Sequence, residues 1–380
     1  MRIKQIINRK PNELGAKLDD LQSSDANLLL VFGSIEHFCS PGLHDALRAT
    51  FPDALLIGCS TAGEITNDGV DDGSCTITAI KFEKTSLKHG STHLSGMDDS
   101  FSAGERLGKQ IVSADLKAIL VFGPGVNING SALVNGITSV VGVDVPITGG
   151  LAGDGGAFKK TYTLGPNGIA DDQVVAIGLS GEALRFGHGS FGGWEPFGPA
   201  RKVTRCDGNI LHELDGEPAL EIYRRYLGEH AKGLPASGLL FPFAMLGEDH
   251  SAVGLIRTIL GIDESTGSLI LAGEINADGY LRLMHASTDK LVNGAESAAE
   301  SAAAMHQSAD GSLAILVSCV GRKLVMGNRV DEEVEAVGEV LGQTSVLTGF
   351  YSYGEISPFM PGASCKLHNQ TMTITCLSEN

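Results

Sequence analysis

The sequence predicts a mixed α/β fold: two lobes of helix-covered mixed sheets, built from duplicated helix–strand–helix–strand–turn–strand units. Three observations carry this expectation. Short apolar runs alternate with segments of helical spacing. The apolar runs end in glycine-rich turns, and Gly supplies 50 of the 380 residues against only 13 Pro. The same order of elements returns along the chain, which marks internal duplication and not a solenoid, because the copies are long and few.

The first copy begins with helical spacing over 12–21, where Leu14, Leu18 and Leu21 share a face. The run L-L-L-V-F (28–32) is a strand closed by Gly33 and Ser34, and 42–51 is a short helix. A second strand, 54–57, enters G-C-S-T-A-G-E-I (58–65), and a third covers 75–82. The second copy has a helix at 103–111, a strand at 118–122 ending on Gly123, and a helix at 131–141. Its second strand, 145–148, enters G-G-L-A-G-D-G-G, and the closing strand is 173–179. Gly33 and Gly58 are 25 residues apart, Gly123 and Gly149 are 26 apart, and that near-constant spacing supports duplication. The third copy has a helix at 289–305, strands at 313–317 and 345–347, an intervening helix at 330–341, the turn G-F-Y-S-Y-G-E-I, and a closing strand at 370–377. First strands that are apolar throughout are covered on both faces, and the closing strands can return antiparallel.

Between the second and third copies, 216–231 is an amphipathic helix with Leu220, Tyr223 and Leu227 on one face. The apolar stretches after it, ending in L-I-L-A-G-E-I (269–275), read as a degraded fourth copy. Composition shifts over 187–199, which divides the chain near residue 205 into an N-terminal domain, 1–205, and a C-terminal domain, 206–380.

Apolar residues at 42% and charged residues at 19% describe a globular chain. A net charge of −17 without any Lys/Arg run argues against nucleic acid and anionic membrane surfaces as partners. No apolar stretch is long enough to span a membrane, and the N-terminus lacks the apolar core of a signal peptide. Seven scattered cysteines without a C-x-x-C fit reduced thiols in the cytoplasm.

Glycine-rich turns at strand ends bring backbone amides close to a ligand or to other backbone. The three turns are expected to gather into one ligand site containing Gly58, Cys59, Ser60, Glu64, Gly149, Gly150, Asp154, Tyr351, Tyr353 and Glu355. Glu64, Asp154 and Glu355 hold similar places in the three copies. Such carboxylates can bind a cation or serve as acid and base. More often they accept hydrogen bonds from turn amides, because unpaired buried charge is rare. A repeated turn is more often architecture than chemistry.

Loop histidines beside aromatics suit haem iron, and His37, His188 and His368 are candidates, with Trp194 beside His188. Each is individually more often a hydrogen-bonded loop histidine. Phe32, Phe38, Trp194, Phe197, Tyr351 and Tyr353 are candidates to line a planar ligand's pocket. G-H-G-S-F-G (187–192) formally matches a dinucleotide fingerprint, but Gly193-Trp194-Glu195-Pro196 cannot open the helix that fingerprint requires. P-loop and zinc-ligand spacings are absent. Cys59 and Cys319 stand at strand ends where a thiol can be activated, yet no partner histidine is fixed, so an enzyme using either cysteine is the weakest reading.

The motifs G-C-S-T-A-G-E-I, T-G-G-L-A-G-D, D-G-E-P-A-L-E-I-Y, S-C-V-G-R, F-Y-S-Y-G-E-I and H-N-Q-T, in this order, resemble the FIST family of signal-sensing proteins. The resemblance covers an N-terminal region, 27–205, and a C-terminal one from Asp215 onward. A stand-alone chain of this length without a kinase or cyclase domain is similar to the nitric-oxide-sensing haem branch. That implies a cytoplasmic, non-enzymatic sensor binding haem b through His188 or His368 and regulating a partner histidine kinase or other signalling protein in a two-component system. A homodimer is one assembly open to it. The family at large implies a rival reading, a small metabolite such as an amino acid bound without haem.

Overall fold

The computed structural model describes residues 1–306, 312–359 and 362–380. Its strands repeat one order three times: an outer strand, a helix, a leading strand, one or two further helices, a second strand, a short hairpin and a closing strand. In the first unit these are Arg2–Asn8, α1 (Leu14–Leu18), Leu28–Gly33, α2 (Ile35–Cys39), α3 (Leu43–Thr50), Leu55–Ser60, the hairpin Glu64–Thr66/Gly69–Asp71, and Cys75–Lys81. In the second they are Ser86–His93, α4 (Ser100–Ile111), Leu116–Gly123, α5 (Gly130–Val141), Ile147–Leu151, Thr163–Gly165/Gly168–Ala170, and Gln173–Ser180. The third unit starts with Leu184–Phe191 and is then interrupted by an insert, an eight-stranded antiparallel sheet between Glu195 and His285 that packs on α6 (Ala219–Leu227). It resumes with α7 (Thr288–His306), Leu313–Cys319, α8 (Val320–Met326), α9 (Asp331–Leu341), Val346–Ser352, Gly354–Pro358/Cys365–His368, and Met372–Glu379.

Each leading strand runs parallel to its second strand and antiparallel to its closing strand. The hairpins do not stay at home. That of the first unit pairs with the second strand of the third unit, that of the third with the second unit, and that of the second with the first. The exchange closes into a ring, so the chain forms three six-stranded sheets of the same strand order about a pseudo-threefold axis.

The mixed α/β class and the helix-covered sheets are as expected. The pseudo-symmetry relates three units, with the insert as a smaller second body. The segment read as a degraded fourth copy is this insert, whose strands pair only antiparallel with one another. Residue 205 falls inside the insert's first strand, Glu195–Asp207. The third turn is mostly extended, with Val346–Ser352 and Gly354–Pro358 separated by Tyr353 alone.

The leading strands explain their all-apolar sequence. Leu28, Leu30 and Phe32 face a core shared by all three sheets, whereas Leu29 and Val31 face α1 and α3. Phe32, Phe122 and Phe350 meet in that shared core with ring centroids 4.8–5.8 Å apart. The G-x-G-x-x-G segment lies on the outer strand of the third unit, not at a helix start. An added Cβ would come within 2.3 Å of the Ala302 carbonyl at Gly187 and 2.0 Å of the Ala298 carbonyl at Gly189, so these glycines let α7 pack closely on the strand. No helix among the described residues is long and apolar enough to cross a membrane.

Candidate functional site

The second strands end around the axis, where three backbone hydrogen bonds link the units in a ring. The Ala62 amide donates to the Tyr351 carbonyl (2.8 Å), the Tyr353 amide to Leu151 (3.1 Å), and the Gly153 amide to Ser60 (2.8 Å). The glycine-rich turns therefore do gather, and their tight approach is backbone against backbone. An added Cβ at Gly58, Gly149 or Gly349 would come 1.9 Å from the carbonyl oxygen of Val31, Val121 or Leu316 on the adjacent leading strand. Cys59 and Gly150 are buried within the same strands, and the Ser60 hydroxyl donates to the Gly153 carbonyl at 2.7 Å. These residues build the junction and present no side chain to a ligand.

The carboxylates divide. Glu64 accepts from the Thr61 hydroxyl and from the amide and hydroxyl of Ser74 (2.8 and 2.9 Å). Glu355 accepts from the Ser352 hydroxyl (2.7 Å) and from the amide and hydroxyl of Thr371 (3.1 and 2.9 Å). Burial pushes both carboxyls up to about 7 despite these donors. Asp154 differs because the second unit has glycine where the others have glutamate. Burial raises its pKa, but the Tyr353 hydroxyl and the amides of Phe158, Lys159 and Lys160 outweigh that and hold it below the usual range. The Tyr353 ring stacks on Phe158 at 4.0 Å.

Over the ring opens a cleft of about 580 Å³. Its walls come from all three units: Glu36, Thr61–Glu64 and Asp72 from the first, Asp154–Gly156 from the second, and α8 from the third. Lys323 of α8 reaches across it. Its ammonium donates to the Ala62 carbonyl at 2.8 Å, pairs with Asp72, and lies 5.3 Å from the Tyr351 ring centroid. Gly63 makes room for it, since a Cβ there would come 2.5 Å from Nζ. The α8 backbone is held from below by Arg322, whose fully buried guanidinium pairs with Glu333 (2.6 Å) and donates to the Leu291 carbonyl (2.9 Å). Glu333 also accepts from the hydroxyls of Tyr351 (2.5 Å) and Ser318 (2.9 Å).

Of the residues expected to contact ligand, Glu64 and Asp154 line this cleft, Tyr351 and Tyr353 touch its lining residues Lys323 and Asp154, and Glu355 is buried outside the lining. Glu36, Asp72 and Lys323 are the other charged residues of its lining. Their signal in the sequence is faint: Arg322-Lys323 is an adjacent basic pair three residues beyond a strand in an acidic chain, and Glu36 stands beside His37 in no recognisable motif.

The histidines are not brought together. His37 is on α2, His188 on the outer strand of the third sheet, and His368 on the edge strand of the second. All three are buried, none lines the axial cleft, and burial lowers His188 and His368 to about 4. The pocket beside His37 is about 170 Å³, below the roughly 300–1,000 Å³ of ordinary ligand sites. Trp194 donates its indole N–H to the Gln370 carbonyl at 2.8 Å. The six aromatics expected around a planar ligand are dispersed, Phe32 in the shared core and Phe197 at the insert. These residues do not fit a haem. Among the described residues no cluster of three or more His, Cys, Asp or Glu is placed to hold a metal ion. Cys59 and Cys319 are buried, and burial raises both thiols, the opposite of nucleophile activation.

Two family models match in succession, the FIST N domain over residues 27–217 and the FIST C domain over 219–358. An uncharacterized protein of Methanocaldococcus jannaschii is 25% identical over 58% of this chain and 44% of its own length. Uncharacterized proteins of Mycobacterium bovis and Mycobacterium tuberculosis are 27% identical over 63% of this chain and 59% of theirs. The chain spans about half the length of the curated relatives it matches. A cyanuric acid hydrolase structure from A. caulinodans aligns over 100% of this chain and 98% of its own at 9% identity and a TM-score of 0.38, a likeness too slight to carry an argument.

Proposed function

The chain belongs to the FIST family, whose domains are small-ligand sensors of signal transduction, and from that premise we propose that it senses an amino-acid-like zwitterion bound in the axial cleft. The observation that carries this reading is the cleft's mixed charge: the Lys323 ammonium stands among Glu36, Asp72 and Asp154, beside the glycine turn at 155–156. A ligand with one carboxylate and one ammonium finds a partner for each. Because the walls belong to three units, a bound ligand touches all three and favours whichever arrangement of them it fits better. A signalling protein reading that arrangement, such as a histidine kinase, is the partner this function requires.

A thermal-shift screen of the standard amino acids against the full chain tests the reading. At least one should raise the melting temperature in a concentration-dependent way, and a flat panel would remove its basis. The haem and nitric-oxide reading rests on the resemblance to that branch of the family and on the candidate histidines, and the separation of the histidines counts against it. Protein purified after haem supplementation should show no Soret band that shifts with nitric oxide; such a band would restore that reading.

A further inference from the structure

Arg257 ends one strand of the insert and is 3% exposed. Its hydrogen bonds all go to carbonyl oxygens: Nε to Glu274 at 3.1 Å, and Nη1 to Ile256 at 3.2 Å and Leu367 at 3.4 Å. Carbonyls orient a guanidinium but do not neutralise it. Among the described residues Arg257 has no carboxylate partner, and Nη2 has no partner at all. The contrast lies within the same molecule, where the equally buried Arg322 is paired with Glu333. A buried cation with no carboxylate in direct contact is costly, and the charge of the Glu274 carboxylate acts on this one only without a hydrogen bond, which leaves room for an anion to meet it.

The geometry leaves a place for that anion. Arg257 lines a cleft of about 230 Å³ in the seam between the insert and the second unit. Asn135 and Ser131 of α5, Asn276 of the insert, and Lys366 of the edge strand Cys365–His368 face it as well. Glu274 shares the cleft, but its carboxylate accepts from Asn129 Nδ2 at 3.3 Å instead of pairing with Arg257. Gly273 clears the guanidinium, since a Cβ there would come 2.9 Å from Nε. Burial lowers Arg257 to about 10, with the charge of the nearby Glu274 carboxylate acting in the opposite direction, and this leaves it cationic at neutral pH.

We propose that this seam is a second ligand site, taking a small oxyanion, a carboxylate or phosphate, on the Arg257 guanidinium with Lys366 at its mouth. The polar side chains of Ser131, Asn135 and Asn276 supply donors for the remaining oxygens. An occupant bridges the insert to the second unit, so its binding ties the two bodies together. This site is separate from the axial cleft and does not depend on what binds there.

Calorimetric titration of the full chain with succinate, and separately with inorganic phosphate, tests the proposal. Wild-type protein should bind at least one of them saturably, and which one identifies the source of the oxyanion. Arg257→Met should weaken that binding by about tenfold or more, as loss of a charge-assisted bond does. Lys366→Glu, a change on an exposed side chain, should weaken it several-fold, whereas Lys17→Glu on exposed α1 makes the same charge change elsewhere and should leave it unaltered. If neither anion binds, or if Lys366→Glu and Lys17→Glu behave alike, the proposal is overturned. Equal affinity in a folded Arg257→Met variant overturns it as well, and should that variant not fold, the Lys366→Glu comparison decides alone.

Discussion

Glu64 and Glu355 hold the same place in two different units. Each accepts from a hydroxyl three residues before it and from the amide and hydroxyl of one later residue, Ser74 or Thr371. Two carboxylates with one donor pattern, repeated by pseudo-symmetry, are parts of the junction. Chemistry particular to one unit sits where the units differ, at Asp154 and at Lys323.

This pattern makes stability depend on pH in a defined direction. Burial raises Glu64 and Glu355 from 4.5 to about 7, so their protonated forms favour the fold. That contribution is fully present below about 4.5 and is lost as pH rises through about 7. His188 and His368, lowered from 6.5 to about 4, act oppositely: their contribution is present above about 6.5 and is lost as pH falls through about 4. The windows overlap, so the readout is a difference between proteins. In denaturant titrations Glu64→Gln should match wild type below pH 4.5 and exceed it by up to about 3 kcal/mol above pH 7. A difference that does not vary with pH would contradict the assignment.

The close approach at the second strands predicts which glycines are indispensable. Gly58→Ala or Gly349→Ala would press a methyl against a carbonyl oxygen at 1.9 Å, in strands that hydrogen bonds hold on both sides. Each should cost about 3 kcal/mol or more, or abolish folding. Gly15→Ala on the exposed side of α1, where a Cβ meets nothing within 4 Å, should be neutral or stabilise by up to about 1 kcal/mol. Denaturation midpoints of the three variants check this.

Thiol accessibility separates a sensor from a cysteine enzyme. Cys39 is exposed and Cys206 half-buried, whereas Cys59, Cys75, Cys319, Cys365 and Cys376 are buried. An aromatic disulfide reagent should label Cys39 first and Cys206 more slowly, and the other five only after denaturation. Rapid native labelling of Cys59 or Cys319 would reopen the enzymatic reading.

Much of the fold was legible because its signals are local. The run L-L-L-V-F is apolar throughout since one face meets the shared core and the other the helices, and Gly58 and Gly149 mark strands that approach a neighbour's backbone. The ring exchange was not legible. E-I-T at 64–66 reads as the end of its own turn, and nothing in its composition says that it pairs with Thr348–Phe350 some 280 residues away. L-I-L-A-G-E-I in the insert imitates the repeated motif, although its neighbours are antiparallel strands. In the cleft, Glu64 and Asp154 stood in recognisable turns, but Lys323 contributes through a contact across units that no linear motif records. His188 and His368 have loop-like flanks in the sequence, but both lie in buried strands, because pairing with a neighbouring strand is not written in the flanking residues.

In the proposed function, Lys323 and the acidic walls of the axial cleft bind a zwitterionic ligand. Calorimetric titration of wild type and Lys323→Met with the amino acid that most stabilises the wild type tests it directly. Binding should be saturable and one-to-one and should fall about tenfold or more in Lys323→Met, with the variant's far-ultraviolet circular dichroism unchanged. Undiminished binding to a folded Lys323→Met variant would contradict it.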